Sequence, residues 1–433
     1  ADAWFTEDPA ALLKGYDPAS DPDAPKGIDV SRLKKGRDIF DVWFESGSSW
    51  NAVMRERSGG ADYPVDLYLE GSDQHRGWFQ LSLLCGVGAT GVSPFRTLLT
   101  HGFIVDKDGK KMSKSIGNTI EVEDLLKEFG ADVCRWWASS LAFENDIKVD
   151  KSYFGTAGEA YRKVRNTLRF MLSNLDDYVS SPPGKDASCG EGMCVPLKDY
   201  RPTEIDSWAL AEFDALSKDV RAAYERFDFR AANARLYNFC NETLSAVYLA
   251  AVKDRLYCDH PDSPRRRKTQ TALWEITDGL TRLIAPLLPH TADEAWLALR
   301  GENASPASVH LSRFIDGFGV KADPGWDAAM AVREEALAAL EKVRASGGVE
   351  NPLDAGVTLP DPNGALSKFD PVDLADLLGV SRVTVDSKAS GVTVQDMREA
   401  PRCERSWKRD GTVSKRSDGG MLSDRDAAAL GLV

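Results

Sequence analysis

The sequence predicts an α/β domain followed by an all-α bundle and a small α/β appendage. Three patterns lead there. Residues 38–150 alternate short apolar strands with helices, and from about 155 to 320 apolar residues recur at helical spacing. An Ala-, Glu- and Leu-rich helix over 325–345 then precedes strand-like runs at 354–360 and 380–385. A chain of 433 residues has room for two to four domains of roughly 150 residues each.

Residues 1–37 are irregular and rich in Asp, Pro and Lys, a linker leading into the α/β unit. The segment 63–70 reads as a strand ending in an acid, Glu70, at the carboxyl end, where open α/β sheets collect ligands. A carboxylate there suits a cationic or hydroxyl-bearing ligand. Gly71 lets a nucleotide approach the backbone closely, and Asp73 and Gln74 offer acceptor and amide groups, although an ordinary Gly-Ser-Asp turn competes with that reading. Trp43 and Trp78 are flat apolar walls or plain core. Between an apolar strand and a helix start lies Lys111-Met112-Ser113-Lys114-Ser115, flanked by Gly109 and Gly117. Two ammonium groups three residues apart on a mobile loop can close over a triphosphate and meet the charge that builds as pyrophosphate leaves. A solvated Lys-rich turn is the bland alternative.

This turn and its flanks, from His101-Gly102-Phe103 to Gly117-Asn118, resemble the KMSKS signature of class I aminoacyl-tRNA synthetases, inside the longer HGF-[IV]-V-D-x-x-G-x-KMSKS-x-GN string of the isoleucyl enzymes. Residues 66–80, DLYLEGSDQHRGWFQ, resemble the block in which isoleucyl enzymes differ from their valyl and leucyl relatives. Residues 41–50 and 130–140 resemble two further segments, so the likeness covers most of 38–150.

The resemblance implies a linker from an editing insertion over 1–37 and a Rossmann-like catalytic half-domain with the KMSKS loop over 38–154. It further implies an all-α anticodon-binding helical bundle over 155–320, a small α/β appendage over 325–400 and a degenerate zinc-finger-like tail over 401–433. The implied activity is isoleucine–tRNA ligation: L-isoleucine and ATP form isoleucyl-adenylate, and a terminal ribose hydroxyl of tRNA(Ile) then takes the acyl group. By the same resemblance Lys114, assisted by Lys111, is the catalytic contact to the ATP phosphates, with Met112, Ser113 and Ser115 completing the motif. Glu70 meets the aminoacyl-adenylate, Asp73 and Gln74 the ribose, and Trp78 and Trp43 the isoleucine side chain. Mg²⁺ arrives with ATP, held by phosphates and water.

The histidines are His75, His101, His260, His290 and His310, and none forms the H-x-G-H motif of class I enzymes. The resemblance therefore makes this a C-terminal portion that starts after the editing insertion, incomplete for adenylate formation alone and complemented by an N-terminal half. Editing matters because isoleucyl enzymes themselves separate isoleucine from valine by only about 150-fold at the synthetic site, and no proofreading domain is visible here. The competing reading is a non-catalytic tRNA-binding protein derived from a synthetase.

The net charge of −13 argues against indiscriminate polyanion binding, leaving local basic surfaces for tRNA. Arg162, Arg165 and Arg169 share one helix face in a segment resembling the family's YRK-[IV]-RNTLRF helix. Arg265 and Arg266, continued by Arg267 and Lys268, open a helix after Pro264 as the densest cation cluster. Both sets are tRNA-backbone candidates, against solvated helix faces. No run of about 18 apolar residues and no signal-like N-terminus occurs, so the expectation is a cytoplasmic protein, off the membrane, and a monomer as in the family.

Seven scattered cysteines suggest reduced thiols. Cys189 and Cys194, in a Gly-rich insertion spanning 180–202, could pair, with free thiols expected. His290, Asp293 and Glu294 belong to a stretch similar to the anticodon-binding bundle and read as helix capping and packing. In the tail, Cys403-x-x-Ser406 and Ser423-x-x-Asp426 stand where the family often has two C-x-x-C pairs. A structural zinc needs about four N or S ligands, so no zinc is expected.

Overall fold

The computed structural model divides the chain into two compact units, Ala1–Phe103 with Glu144–Asp146, and Ile104–Phe143 with Ile147–Val433. It describes residues 2–57, 59–113, 115, 117–178, 194–301 and 304–432.

The first unit is built on one βαβ crossover. Helix α1 (Val42–Gly47) starts where the Asp41 carboxylate accepts the Trp43 amide at 2.8 Å, the usual N-cap chemistry. Strand β1 (Val65–Gly71) is followed by a 3₁₀ turn (Ser72–Arg76), helix α2 (Trp78–Thr90) and strand β2 (Phe95–His101). The strands pair in parallel, Val65 opposite Phe95 through Gly71 opposite His101; parallel neighbours need a crossover, and α2 supplies it. Buried Tyr68 stacks on Trp78 at 4.0 Å and Phe95 at 5.0 Å between centroids.

In the second unit β3 (Ile104–Val105) pairs in parallel with β4 (Ile147–Lys148). Helices α3 (Val122–Phe129), α4 (Ala131–Ser139) and α5 (Lys151–Ser173) close over Leu125, Trp137, Val149 and Phe154. The bundle proper adds α6 (Ile205–Glu225), α7 (Phe229–Asn238), α8 (Leu249–Cys258), α9 (Pro264–Ile284) and α10 (Pro289–Arg300) to α5. Leu168, Phe213, Leu236, Leu273 and Trp296 are fully buried in its core, so the helical spacing in the sequence marks a real interior. Between α7 and α8 the chain is π-helical over Phe239–Tyr248, a departure that side-chain periodicity does not announce. From residue 304 the described chain runs as a strap that includes a 3₁₀ turn, Val309–Leu311, where the sequence suggests helix to about 320. Gly301 at φ 76° ends α10 in the left-handed region.

The appendage comprises α11 (Trp326–Ala345), β5 (Ala355–Pro360), α12 (Pro371–Leu378), β6 (Arg382–Asp386) and β7 (Thr393–Asp396). Strand β5 is central, parallel to β6 and antiparallel to β7. The sequence shows β5 and β6 as apolar runs, whereas β7 is a mostly exposed edge strand without one. The tail forms a small hairpin, β8 (Ser414–Lys415) with β9 (Met421–Leu422), then α13 (Asp424–Ala429). Most of the 180–202 insertion, Cys189 included, lies outside the described residues; Cys194 is disulfide-bonded rather than a free thiol.

Buried charge ties bundle, appendage and tail together. Arg255, 2% exposed, contacts Asp373 at 2.9 Å, Asp376 at 3.4 Å and Asp206 at 3.7 Å. Lys408 of the tail reaches Asp376 at 2.5 Å and Asp254 at 3.1 Å, and Arg425 reaches Asp254 at 2.5 Å. Removing one partner from such a set strands the others without water, which makes the network directional.

Candidate functional site

In the first unit the residues singled out from the sequence gather at the carboxyl end of β1. The Glu70 side chain is about half exposed, 49%, and its Oε1 accepts the Gly71 amide at 3.0 Å. The parallel register sets His101 beside it, with Nε2 3.8 Å from Glu70 Oε1. His101 Nδ1 lies 2.8 Å from the Gly102 carbonyl, which only accepts, so Nδ1 carries the proton and Nε2 faces the carboxylate. A Cβ on Gly71 would sit 2.9 Å from Asp73 Oδ1, so glycine is what lets the 3₁₀ turn fold back on the strand.

Asp73 is exposed, while the Gln74 amide is engaged at both ends. Its Oε1 accepts the Trp78 amide at 3.0 Å at the start of α2, and its Nε2 donates to Asp73 Oδ2 at 3.3 Å. Gln74 therefore holds Asp73 and the helix start. Trp78 is half-buried, one ring face on Tyr68 and its indole N–H donated to the Ser46 carbonyl at 3.0 Å. Trp43, 44% exposed, lies against Gly77.

In the second unit the lysine-bearing loop leaves β3 and returns as an antiparallel bridge, Val105 opposite Lys111. Its base is a clasp that the sequence reading did not single out. Asp106 Oδ1 accepts the Lys110 amide at 2.8 Å and the Asp108 amide at 3.0 Å, and its Oδ2 accepts Asn118 Nδ2 at 2.8 Å. Asn118 Oδ1 in turn accepts the Ser113 amide at 2.9 Å. The Asn118 amide above all, with these backbone donors, holds the Asp106 carboxyl below its ordinary range. Met112 packs on the cluster around Leu125 and Trp137, and Ser113 Oγ lies 3.1 Å from Ser115 Oγ. Gly109 and Gly117 take φ of 83° and 73°. Lys114 lies outside the described residues.

The two basic surfaces differ. On α5, Arg162 and Arg169 are exposed, and among the described residues neither forms an ion pair, whereas Arg165 is bidentate to Glu294 at 2.6 and 2.7 Å. At the start of α9 the cations are consumed internally. Arg265 pairs with Asp373 at 2.9 Å and Asp376 at 2.6 Å, Arg266 with Asp177 at 2.6 Å, Arg267 with Asp262 at 3.2 Å and Lys268 with Glu204 at 2.9 Å. The Arg266 side chain is only 13% exposed. Cations oppose the helix dipole at an N-terminus, and these carboxylates offset that cost, so Arg265 and Arg266 are ion-pair anchors rather than open phosphate contacts. Asp293 accepts Ser308 Oγ at 2.6 Å and the Val309 amide at 3.1 Å, and Asp132 accepts the Thr291 amide at 2.7 Å at the start of α10. These are capping and packing roles. Among the described residues no helix is long and apolar enough to cross a membrane.

Residues 14–150 match the family model for tRNA synthetases class I (I, L, M and V), and residues 206–359 that for the anticodon-binding domain of tRNA ligase. The chain is 38% identical to an isoleucine–tRNA ligase of Desulfitobacterium hafniense and 37% identical to one of Desulfotalea psychrophila, over 99% of its own length and 46% of theirs. An isoleucine–tRNA ligase of Brevibacillus brevis is 40% identical over 89% of this chain and 40% of that protein. The chain thus spans about half the length of the curated relatives it matches. With the KMSKS turn and the Glu70 block inside the first matched region and helices α7 to α10 inside the second, the chain is a homologue of isoleucine–tRNA ligases over nearly its whole length and carries class I synthetase and anticodon-binding domains.

Proposed function

We propose that this chain supplies the adenylate-binding and phosphate-clamping portion of a cytoplasmic isoleucine–tRNA ligase, together with its tRNA-binding bundle. Glu70 pairs with the α-ammonium of L-isoleucine, its Oε1 oriented by the Gly71 amide. Asp73, held by Gln74 across Gly71, meets a ribose hydroxyl of the adenylate. Trp43 and the half-buried Trp78 flank the amino acid side chain. Lys111 and Lys114 neutralise the phosphates of Mg²⁺-bound ATP as pyrophosphate departs, with Met112, Ser113 and Ser115 shaping the turn. Catalysis of this kind rests on positioning and charge, with no covalent enzyme intermediate. The exposed Arg162 and Arg169 face the tRNA backbone, and Arg165, fixed by Glu294, keeps their helix in place.

The observation that carries this reading is the half-exposed Glu70 carboxylate at the carboxyl end of a parallel strand, beside His101 and Asp73. A second supports an incomplete nucleotide-binding sheet. Helix α2 is apolar on nearly every side and leaves Leu83, Leu84 and Val87 39%, 61% and 44% exposed, whereas parallel sheets and their helices are normally covered. We therefore expect isoleucine-dependent ATP–pyrophosphate exchange only when the chain is joined to an upstream segment carrying H-x-G-H. Exchange driven by valine or leucine instead would overturn the amino acid assignment. Silence in both forms, with tRNA(Ile) still bound, would leave a non-catalytic tRNA-binding protein.

A further inference from the structure

The tail brings the four positions of the paired C-x-x-C spacing to one point, and a carboxylate oxygen occupies that point. Asp426 Oδ2 accepts Ser423 Oγ at 2.7 Å, Ser406 Oγ at 2.8 Å, Arg425 Nη2 at 3.1 Å and Cys403 Sγ at 3.2 Å. Arg405 Nη1 stands 3.6 Å from Oδ1. A zinc centre needs lone pairs converging on a cation. Here donors converge on an anion, and two guanidiniums sit where they repel a divalent ion. These residues do not fit zinc.

We propose that the tail is a metal-independent knuckle, in which the Asp426 carboxylate takes the place of an ion as the centre on which two turns close. The first turn is fixed by Trp407 N–H to the Cys403 carbonyl and Cys403 N–H to the Lys408 carbonyl, both 2.9 Å, with Trp407 in the left-handed region at φ 63°. The second is the start of α13, where Asp426 N–H meets Ser423 Oγ at 3.2 Å and Ala427 N–H meets the Ser423 carbonyl at 2.9 Å. Burial alone would raise the Asp426 carboxyl. The hydrogen bond from Ser423, the charge of Arg425 and the hydrogen bonds from Ser406 and Cys403 outweigh it and hold the group below its ordinary range, so it stays an ionised acceptor at neutral pH.

Among the described residues the buried apolar core of the knuckle is Cys403, Val413, Leu422 and Ala427, with Met421 and Leu432 packed against it, too little to order a segment of this size without a staple. The carboxylate centre is one staple. Docking is the other: Lys408 and Arg425 converge on Asp254 of α8, and Arg405 donates to the Cys258 carbonyl at 2.7 Å.

The test uses the full chain from zinc-supplemented growth, reading metal content by mass spectrometry and alkylation of buried Cys403 by peptide mapping. We expect far less than one zinc per chain, and Cys403 protection that chelator leaves unchanged. Asp426→Ala should speed Cys403 alkylation about ten-fold or more by local opening, with the bundle's helical circular dichroism retained; Ser406→Ala, which deletes one donor, should give a smaller rise. Replacing Ser406, Ser423 and Asp426 together by Cys should create a site holding about one zinc. Near-stoichiometric zinc whose removal exposes Cys403 overturns the proposal. So does Asp426→Ala that leaves Cys403 as protected as before, or a triple variant that takes up no metal, since the four positions would then not surround one point.

Discussion

Glu275, in α9, carries a titration close to neutral pH. Burial, reinforced by the neighbouring charge of Asp278 and only partly offset by Arg300 and Arg282, pushes its carboxyl from 4.5 up to about 7. Below the unfolded value the group is neutral in both states and has no effect. Between the two values only the folded state keeps the proton, so stability falls as pH rises, and above about 7 the cost is complete. That cost is at most about 3 kcal/mol. Glu275→Gln should therefore raise the melting temperature at pH 8 and leave it unchanged at pH 4; equal melting at both values would mean the carboxyl is solvated. Glu70 and Asp73 are candidates on their residue types and their place in a string, which need no structure to be read. His101 lies in a different string, the one that runs into the lysine-bearing turn, where residue type alone assigns it no role. Its place beside Glu70 follows from parallel register, which pairs residues 30 positions apart and sets His101 opposite Gly71, next to Glu70.

At the scale of elements, the clasp between Asp106 and Asn118 shows why the lysine-bearing turn has a defined base. Asn118→Ala removes the donor to Asp106 and the acceptor for Ser113 together. Amide exchange over residues 110–118 should then quicken by about ten-fold while global melting stays nearly constant. Asp254 on α8 tests the docking of the tail. Burial would raise its carboxyl, but the hydrogen bond from Arg425 and the charge of Lys408 bring it down to about 2 from 3.8. The stability is present above the unfolded value and is lost as pH falls toward about 2, amounting to about 2 kcal/mol. Asp254→Asn should forfeit it at pH 7, read as faster amide exchange over residues 403–430 with the bundle unaffected; unchanged exchange would show that other contacts dominate the docking. The run Arg265–Lys268 marks the limit of reading charge from sequence. A cation cluster is visible in one dimension, but apart from the neighbouring Asp262 its carboxylate partners, Asp177, Glu204, Asp373 and Asp376, are ones that only folding brings near.

For the whole molecule, a net charge of −13 leaves polyanion binding to local surfaces. The uncompensated candidates on α5 are Arg162 and Arg169. Replacing either by Ala should weaken tRNA(Ile) binding and reduce the slope of log affinity against log salt by about one contact, without moving the melting temperature. A slope that does not change would place the tRNA on another face.

The sequence by itself determined the order of the architecture, the strand-to-turn motif around Glu70, the lysine-bearing turn, the bundle and the loss of thiolates in the tail. Each of these is written in local period or in residue type, which need no partner to be read. Tertiary structure alone decided which charges are free and which are spent, and it set His101 on Glu70 and four tail side chains on one carboxylate oxygen. Those outcomes are set mostly by distances between residues far apart along the chain, and burial then fixes their energetic sign: a buried paired cation becomes an anchor, while an exposed unpaired one stays in water.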